Sequence, residues 1–260
     1  MARRTGARRL TFITTAVLVA TACGTTDAAD PLSPSGPTGR IRFVNLVTDP
    51  ARNPVNAILE GLPFGVNLAY TGTTPSSLPA PSTANYAPVL SGARTIVLKK
   101  TADTTVTVGT LPVNVTADND YTVFAVGGTA GSAVSSFTTA DVNTAPTAGQ
   151  ARIRVVNMSP AAGAVDVFIT AANADLAAAT PVATALANRA VFAGVSVAPG
   201  TYQVRTVPAD TAPAARAAAV NTNLTGTSAV VVAAGNGRTI VIADAAAGGT
   251  PLRGFVLPDF

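Results

Sequence analysis

The chain has 260 residues, 48% of them hydrophobic, with no His, no Trp, one Cys and one Glu among 13 acids. The missing His removes His-based triads, imidazole general bases and the commonest transition-metal ligand. The sequence pI is 9.7, yet Arg3, Arg4, Arg8 and Arg9 all precede Cys23, and 13 basic residues then face 13 acids. A nucleic-acid partner is not expected, because no clustered basic face remains to neutralise phosphates.

Residues 1–22 read as a signal peptide. Four arginines lead, Leu10 to Ala22 carry no charge, and small residues stand just before Cys23. An apolar run of this length is too short to cross a bilayer and suits a signal-peptide core. The segment resembles a bacterial lipoprotein signal, with Ala20 where that family usually has Leu. The resemblance implies lipidation of Cys23 and an expected partner, the membrane, through its acyl chains. It implies a cell-envelope location, at the outer membrane or an extracellular or periplasmic face. Plain secretion after Ala20-Thr21-Ala22 is the other reading. A disulfide within the chain is excluded by the single cysteine. Residues 23–38, rich in Pro and Gly, are expected to form a flexible tether.

Next comes an internal repeat. Arg40-Ile41-Arg42-Phe43-Val44-Asn45 returns as Arg152-Ile153-Arg154-Val155-Val156-Asn157. Val55 to Leu59 answers Val165 to Ile169, and Tyr86-Ala87-Pro88-Val89 answers Phe192-Ala193-Gly194-Val195. Tyr121 to Ala125 answers Thr239 to Ala243. Two units follow, 39–149 and 150–260. Alternating and β-branched runs dominate both, so the expectation is all-β: two tandem Ig-like or Greek-key β-sandwich domains. Residues 71–83 read as an irregular insertion. Ala171 to Ala187 read as a loop with one helical turn around 172–179. Asn236-Gly237 reads as a hairpin turn, with Asp118-Asn119-Asp120 in the equivalent place.

The repeated motifs, above all Arg152 to Pro160, Val165 to Phe168 and Pro199 to Val204, resemble the bacterial domain-of-unknown-function family 4397. Ser91-Gly92-Ala93-Arg94 departs from it in the first copy, where Pro-Gly-Thr-Tyr would stand. The resemblance implies an exported β-sandwich of envelope proteins, and no activity.

The chemistry left to the chain is thin. Asp118 and Asp120 form the one close acidic pair, a conceivable calcium loop or a plain polar turn. Gly127 to Gly131 lacks the lysine of a phosphate loop. Arg42 and Arg154 recur in both copies. They could face a ligand, or contact Asn56 and Asp166 on the next strand and fix register. No catalytic, cofactor-binding or metal-binding residue is assigned. The expected role is therefore non-enzymatic: a lipid-anchored envelope protein presenting two β-sandwich modules for structure or adhesion. The alternative is an extracytoplasmic binding protein for a glycan or another small ligand, for which the aromatic supply is low. An envelope protein or a glycan is the expected partner class.

Overall fold

The computed structural model describes residues 35–75, 85–220, 224 and 227–260. The signal peptide, Cys23 and most of the tether lie outside the described residues. The tether as read from sequence runs into the first strand, which begins at Thr38.

The fold is all-β. The first half contains β1 (Thr38–Val47), β2 (Val55–Leu59), β3 (Leu62–Leu68), β4 (Thr73–Thr74), β5 (Ala87–Leu90), β6 (Gly92–Lys100), β7 (Asp103–Val115), β8 (Asp120–Gly127) and β9 (Val134–Asp141). The second contains β10 (Ala151–Asn157), β11 (Val165–Thr170), β12 (Ala183–Leu186), β13 (Ala190–Val197), β14 (Gly200–Pro208), β15 (Val230–Val232), β16 (Gly237–Ala243) and β17 (Arg253–Pro258). A four-residue α-helix, Arg216–Ala219, follows β14. The Ala-rich stretch 171–180 holds only turns and bends, with no helix.

Four sheets result. One has the order β4-β1-β8-β9, with β5 also on β1, and its counterpart runs β13-β10-β16-β17. The other two run β3-β2-β6-β7 and β12-β11-β14-β15. The two halves thus repeat one topology, including a parallel pair in each, β1 with β8 and β10 with β16.

The apolar pattern explains the layering. Ile41, Phe43, Val123 and Ala125 point into a core shared with Val55, Leu59, Phe64, Ile96 and Leu98 of the other first-half sheet. Ile153, Val155, Ile240 and Ile242 do the same in the second half, with Val165, Val167 and Val204. The alternate residues of the same strands form a third core that joins the halves: Val44, Leu46, Phe124 and Val126 meet Val156, Met158, Val241 and Leu257. The described residues form a stack of four sheets, with the two parallel-paired sheets innermost. Strands buried on both faces read as continuous apolar runs, which is why β1 and β16 show so little exposed sequence.

Two turn readings need correction. Asp118-Asn119 and Asn236-Gly237 close no hairpin. β7 and β15 belong to the outer sheets, while β8 and β16 belong to the inner ones. These turns carry the chain from one layer to the next. Asp118 and Gly235 take left-handed backbone, at φ 60° and 81°. There a short polar residue or Gly is the least costly choice. Each turn then ties down the start of the parallel partner. Asp118 N donates to the Thr38 carbonyl and Arg40 N to that of Asn119; Gly235 N and Arg152 N do the same to Gln150 and Asn236.

The match of Val89 with Val195 is also off by two residues, and that of Tyr121 with Thr239 by one, since Thr122 lies opposite Arg42 as Thr239 lies opposite Arg154. Val89 lies opposite Gly39, and Val197 opposite the equivalent Ala151. The register of β13 shifts between Ile153 and Val155, and a bulge of this kind is invisible to a motif comparison.

Candidate functional site

The most concentrated polar chemistry lies between the halves, inside the third core. Arg42 and Thr122 sit side by side on β1 and β8, and Arg154 and Thr239 sit likewise on β10 and β16. All four point away from their own sandwich core, toward the other half. Asp141 ends the neighbouring edge strand β9, and Asp259 directly follows its counterpart β17.

The contacts cross reciprocally. Arg42 Nη2 reaches Asp259 Oδ1 at 3.1 Å, and Arg42 Nη1 donates to the Pro258 carbonyl at 2.6 Å. From the other side, Arg154 Nη1 donates to Asp141 Oδ1, and Arg154 Nη2 to Thr139 Oγ1 at 2.6 Å and the Ala140 carbonyl at 3.4 Å. Within each half the aspartate is held by the threonine hydroxyl: Thr122 donates to Asp141, and Thr239 to Asp259 at 2.9 Å. Arg42 also reaches Asp141 of its own half at 3.5 Å. The side chains of Arg42, Asp141, Arg154 and Asp259 are each no more than 4% exposed.

Two positive and two negative groups make a neutral cluster. Buried ions are tolerated only when paired and hydrogen-bonded in this way. Burial pushes the Asp259 carboxyl above the usual carboxylate range, opposed by Arg42 and the Thr239 hydroxyl. Tyr86 completes the cluster on the first-half side. Its ring lies 4.6 Å from the Arg42 guanidinium and 5.7 Å from that of Arg40, and its hydroxyl donates to Asp141 Oδ2 at 2.8 Å. A second polar bridge joins the halves where Tyr70 Oη donates to the Asp244 carbonyl at 2.6 Å.

The sequence singled out the right arginines and the wrong partners. Asn56 accepts from Asn67 N and Thr101 Oγ1, and Asp166 from Ala185 N. Neither meets an arginine. Odd and even residues of a strand leave opposite faces, and Arg42 and Arg154 are on the face turned from β2 and β11. Their guanidinium groups are enclosed within the protein. Asp141 and Asp259 escaped the sequence reading, because neither sits in a motif. In the fold each stands two residues past the position opposite an inner-strand threonine, Thr139 opposite Thr122 and Leu257 opposite Thr239.

The acidic pair of the first half has a separate fate. Arg40 Nε and Nη2 grip Asp120 Oδ1 and Oδ2, both at 2.6 Å, and Asn143 Nδ2 donates to Oδ2 at 2.6 Å. That bond holds the Arg40 guanidinium more firmly protonated. Asp120 is therefore already engaged on both oxygens. In the second half Gly237 takes the place of Asp120, and Arg152 lies over the Phe260 ring at 5.1 Å instead. Among the described residues no three His, Cys, Asp or Glu gather as a metal-binding group.

Cavities are modest. A space of about 90 Å³ between the halves is lined by Thr48, Tyr70, Thr129, Met158, Arg189 and Asp244. An open polar cleft of about 410 Å³ lies over Arg40, Asp118, Asp120, Asn143 and Thr144. Among the described residues no helix is long and apolar enough to cross a membrane.

Residues 39–168, half of the chain, match DUF4397, a domain of unknown function. The chain belongs to this family. The DUF4397 match begins at the strand carrying Arg40 and Arg42 and ends at Phe168 on β11. No curated protein matches the chain. Among solved structures, it is 12% identical to a leucine-rich repeat protein from Bacteroides thetaiotaomicron, over 68% of this chain and 23% of that one, at a TM-score of 0.18. It is 9% identical to a proposed adhesin from Bacteroides ovatus, over 86% of this chain and 94% of that one, at a TM-score of 0.17.

Proposed function

We propose that this DUF4397 protein is a non-enzymatic component of the cell envelope, anchored by acyl groups on Cys23, that presents two β-sandwich modules for a structural or adhesive role. On this reading residues 150–260 are a second copy of the family domain. The single observation that favours it is the use made of the repeated arginines. Arg42 and Arg154, the residues best suited to hold a ligand in both copies, are turned inward onto Asp259 and Asp141. A pair of modules fastened to each other in this way suits display as one stiff body. The amino-terminal sequence supports the anchor, since four arginines, an uncharged stretch and the one cysteine stand in order. Several acyl chains on one residue add membrane affinity of about 0.8 kcal/mol for each buried methylene.

Fractionation of cells expressing the chain or Cys23→Ser tests the anchor. The wild type is expected in the membrane fraction and the variant in the soluble envelope fraction; equal membrane retention refutes lipidation. Glycan-array binding of the purified chain tests the role. A single reproducible glycan would replace the structural reading with the ligand-binding one.

A further inference from the structure

The contact between the halves has the form of a two-fold interface. In such an interface the same patch serves both sides, so residue i meets residue j while j meets i. Arg42 meets Asp259 and the carbonyl before it; Arg154 meets Asp141 and the carbonyl before it. The apolar parts obey the same exchange, with Val44 and Leu46 placed as Val156 and Met158 are, and Phe124 and Val126 as Val241 and Ala243 are. Each half therefore presents one arginine, one aspartate and one apolar strip, and receives the same set from its companion.

Only the nine residues 142–150 tie the two faces into one chain. Nothing in the contacts themselves requires that both halves belong to the same molecule. We infer that this face is a self-recognition surface whose other partner is a second copy of this chain: two copies open at residues 142–150 and exchange halves, first half to second half in both directions. The exchanged dimer keeps every contact across this face and gives up only those within the hinge, such as Arg152 on the Val142 and Thr144 carbonyls. Tethering favours the closed form in dilute solution, because a short linker sets an effective concentration of order mM.

The test uses charge reversal in two full-length chains. One carries Arg42→Asp and Asp141→Arg; the other carries Arg154→Asp and Asp259→Arg. Within either chain the faces now repel. Between the two chains every pair is opposite in sign again, reversed with reversed and native with native. Mixing them is expected to give a one-to-one heterodimer by light scattering, with at least a tenfold preference over self-association of either chain. A chain carrying all four reversals is expected to return to a monomer with the circular dichroism of the wild type. Failure of the folded variants to pair on mixing overturns the inference. Failure of the fourfold variant to fold as the wild type does also overturns it, since the cross-pairs would then not govern the face.

Discussion

The Tyr86 hydroxyl donates to the Asp141 carboxylate at 2.8 Å from beneath the Arg42 guanidinium. Burial is the main reason its phenol ionises at higher pH than usual, with Asp141 and Asp259 adding to the shift and Arg42 opposing it. The half-buried Tyr70 is raised for the same first reason. A raised folded-state pKa stabilises below the unfolded value of about 10 and is lost as pH climbs through the folded value. The chain should hold its stability to about pH 10 and weaken beyond it. Tyr86→Phe should lower stability at pH 7 by about 1.5–3 kcal/mol, the worth of a hydrogen bond to a charge, and make the alkaline loss shallower. Tyr70→Phe with Tyr86→Phe should flatten it further. Urea midpoints at pH 7, 9 and 11 check this.

The Arg42–Asp259 pair gives a second expectation. Arg42→Met leaves a buried carboxylate short of its cation and should cost about 3–5 kcal/mol. Arg42→Met together with Asp259→Leu should cost less than the two single changes combined, by about 0.5–3 kcal/mol. Denaturant unfolding of the four chains measures the coupling. A coupling of zero would mean that the pair does not bind the halves.

Phe124 is fully buried in the core between the halves, tilted against Phe137 at 6.4 Å between ring centres. Phe124→Ala should cost about 3–5 kcal/mol through the cavity it leaves. Because the two halves share this core, the wild type should unfold in one calorimetric transition and the variant in two.

Two glycines of the first half should respond differently to Ala. A Cβ on Gly39 would stand 2.5 Å from the Thr116 carbonyl oxygen and 2.9 Å from that of Asn119. Both obstacles are backbone, so Gly39→Ala should cost at least the 1–3 kcal/mol typical of overpacking. Gly61 has φ 86° but nothing within 4 Å of a Cβ. Gly61→Ala should cost only the left-handed strain, about 1–2 kcal/mol. Thermal midpoints of the two variants should rank accordingly.

The sequence by itself determined the all-β class, because period-two alternation and β-branched runs leave few other ways to bury a face. The recurrence of Arg40 to Asn45 at Arg152 to Asn157 was equally legible, since it is a matter of letters. That Arg42 and Arg154 matter in both halves could also be read from recurrence alone.

Their partners could not. Asp141 lies 99 residues from Arg42, and Asp259 lies 217 residues away. Only the stacking of one inner sheet on the other brings them within bonding distance. The turns at Asp118 and Gly235 conceal their role for a related reason: a left-handed turn residue looks the same whether the next strand pairs beside the last or crosses to another layer. Local chemistry fixes the shape of a turn and the face of a strand. Which faces meet is settled by the burial of apolar surface summed over distant segments, and that quantity exists only in the folded chain.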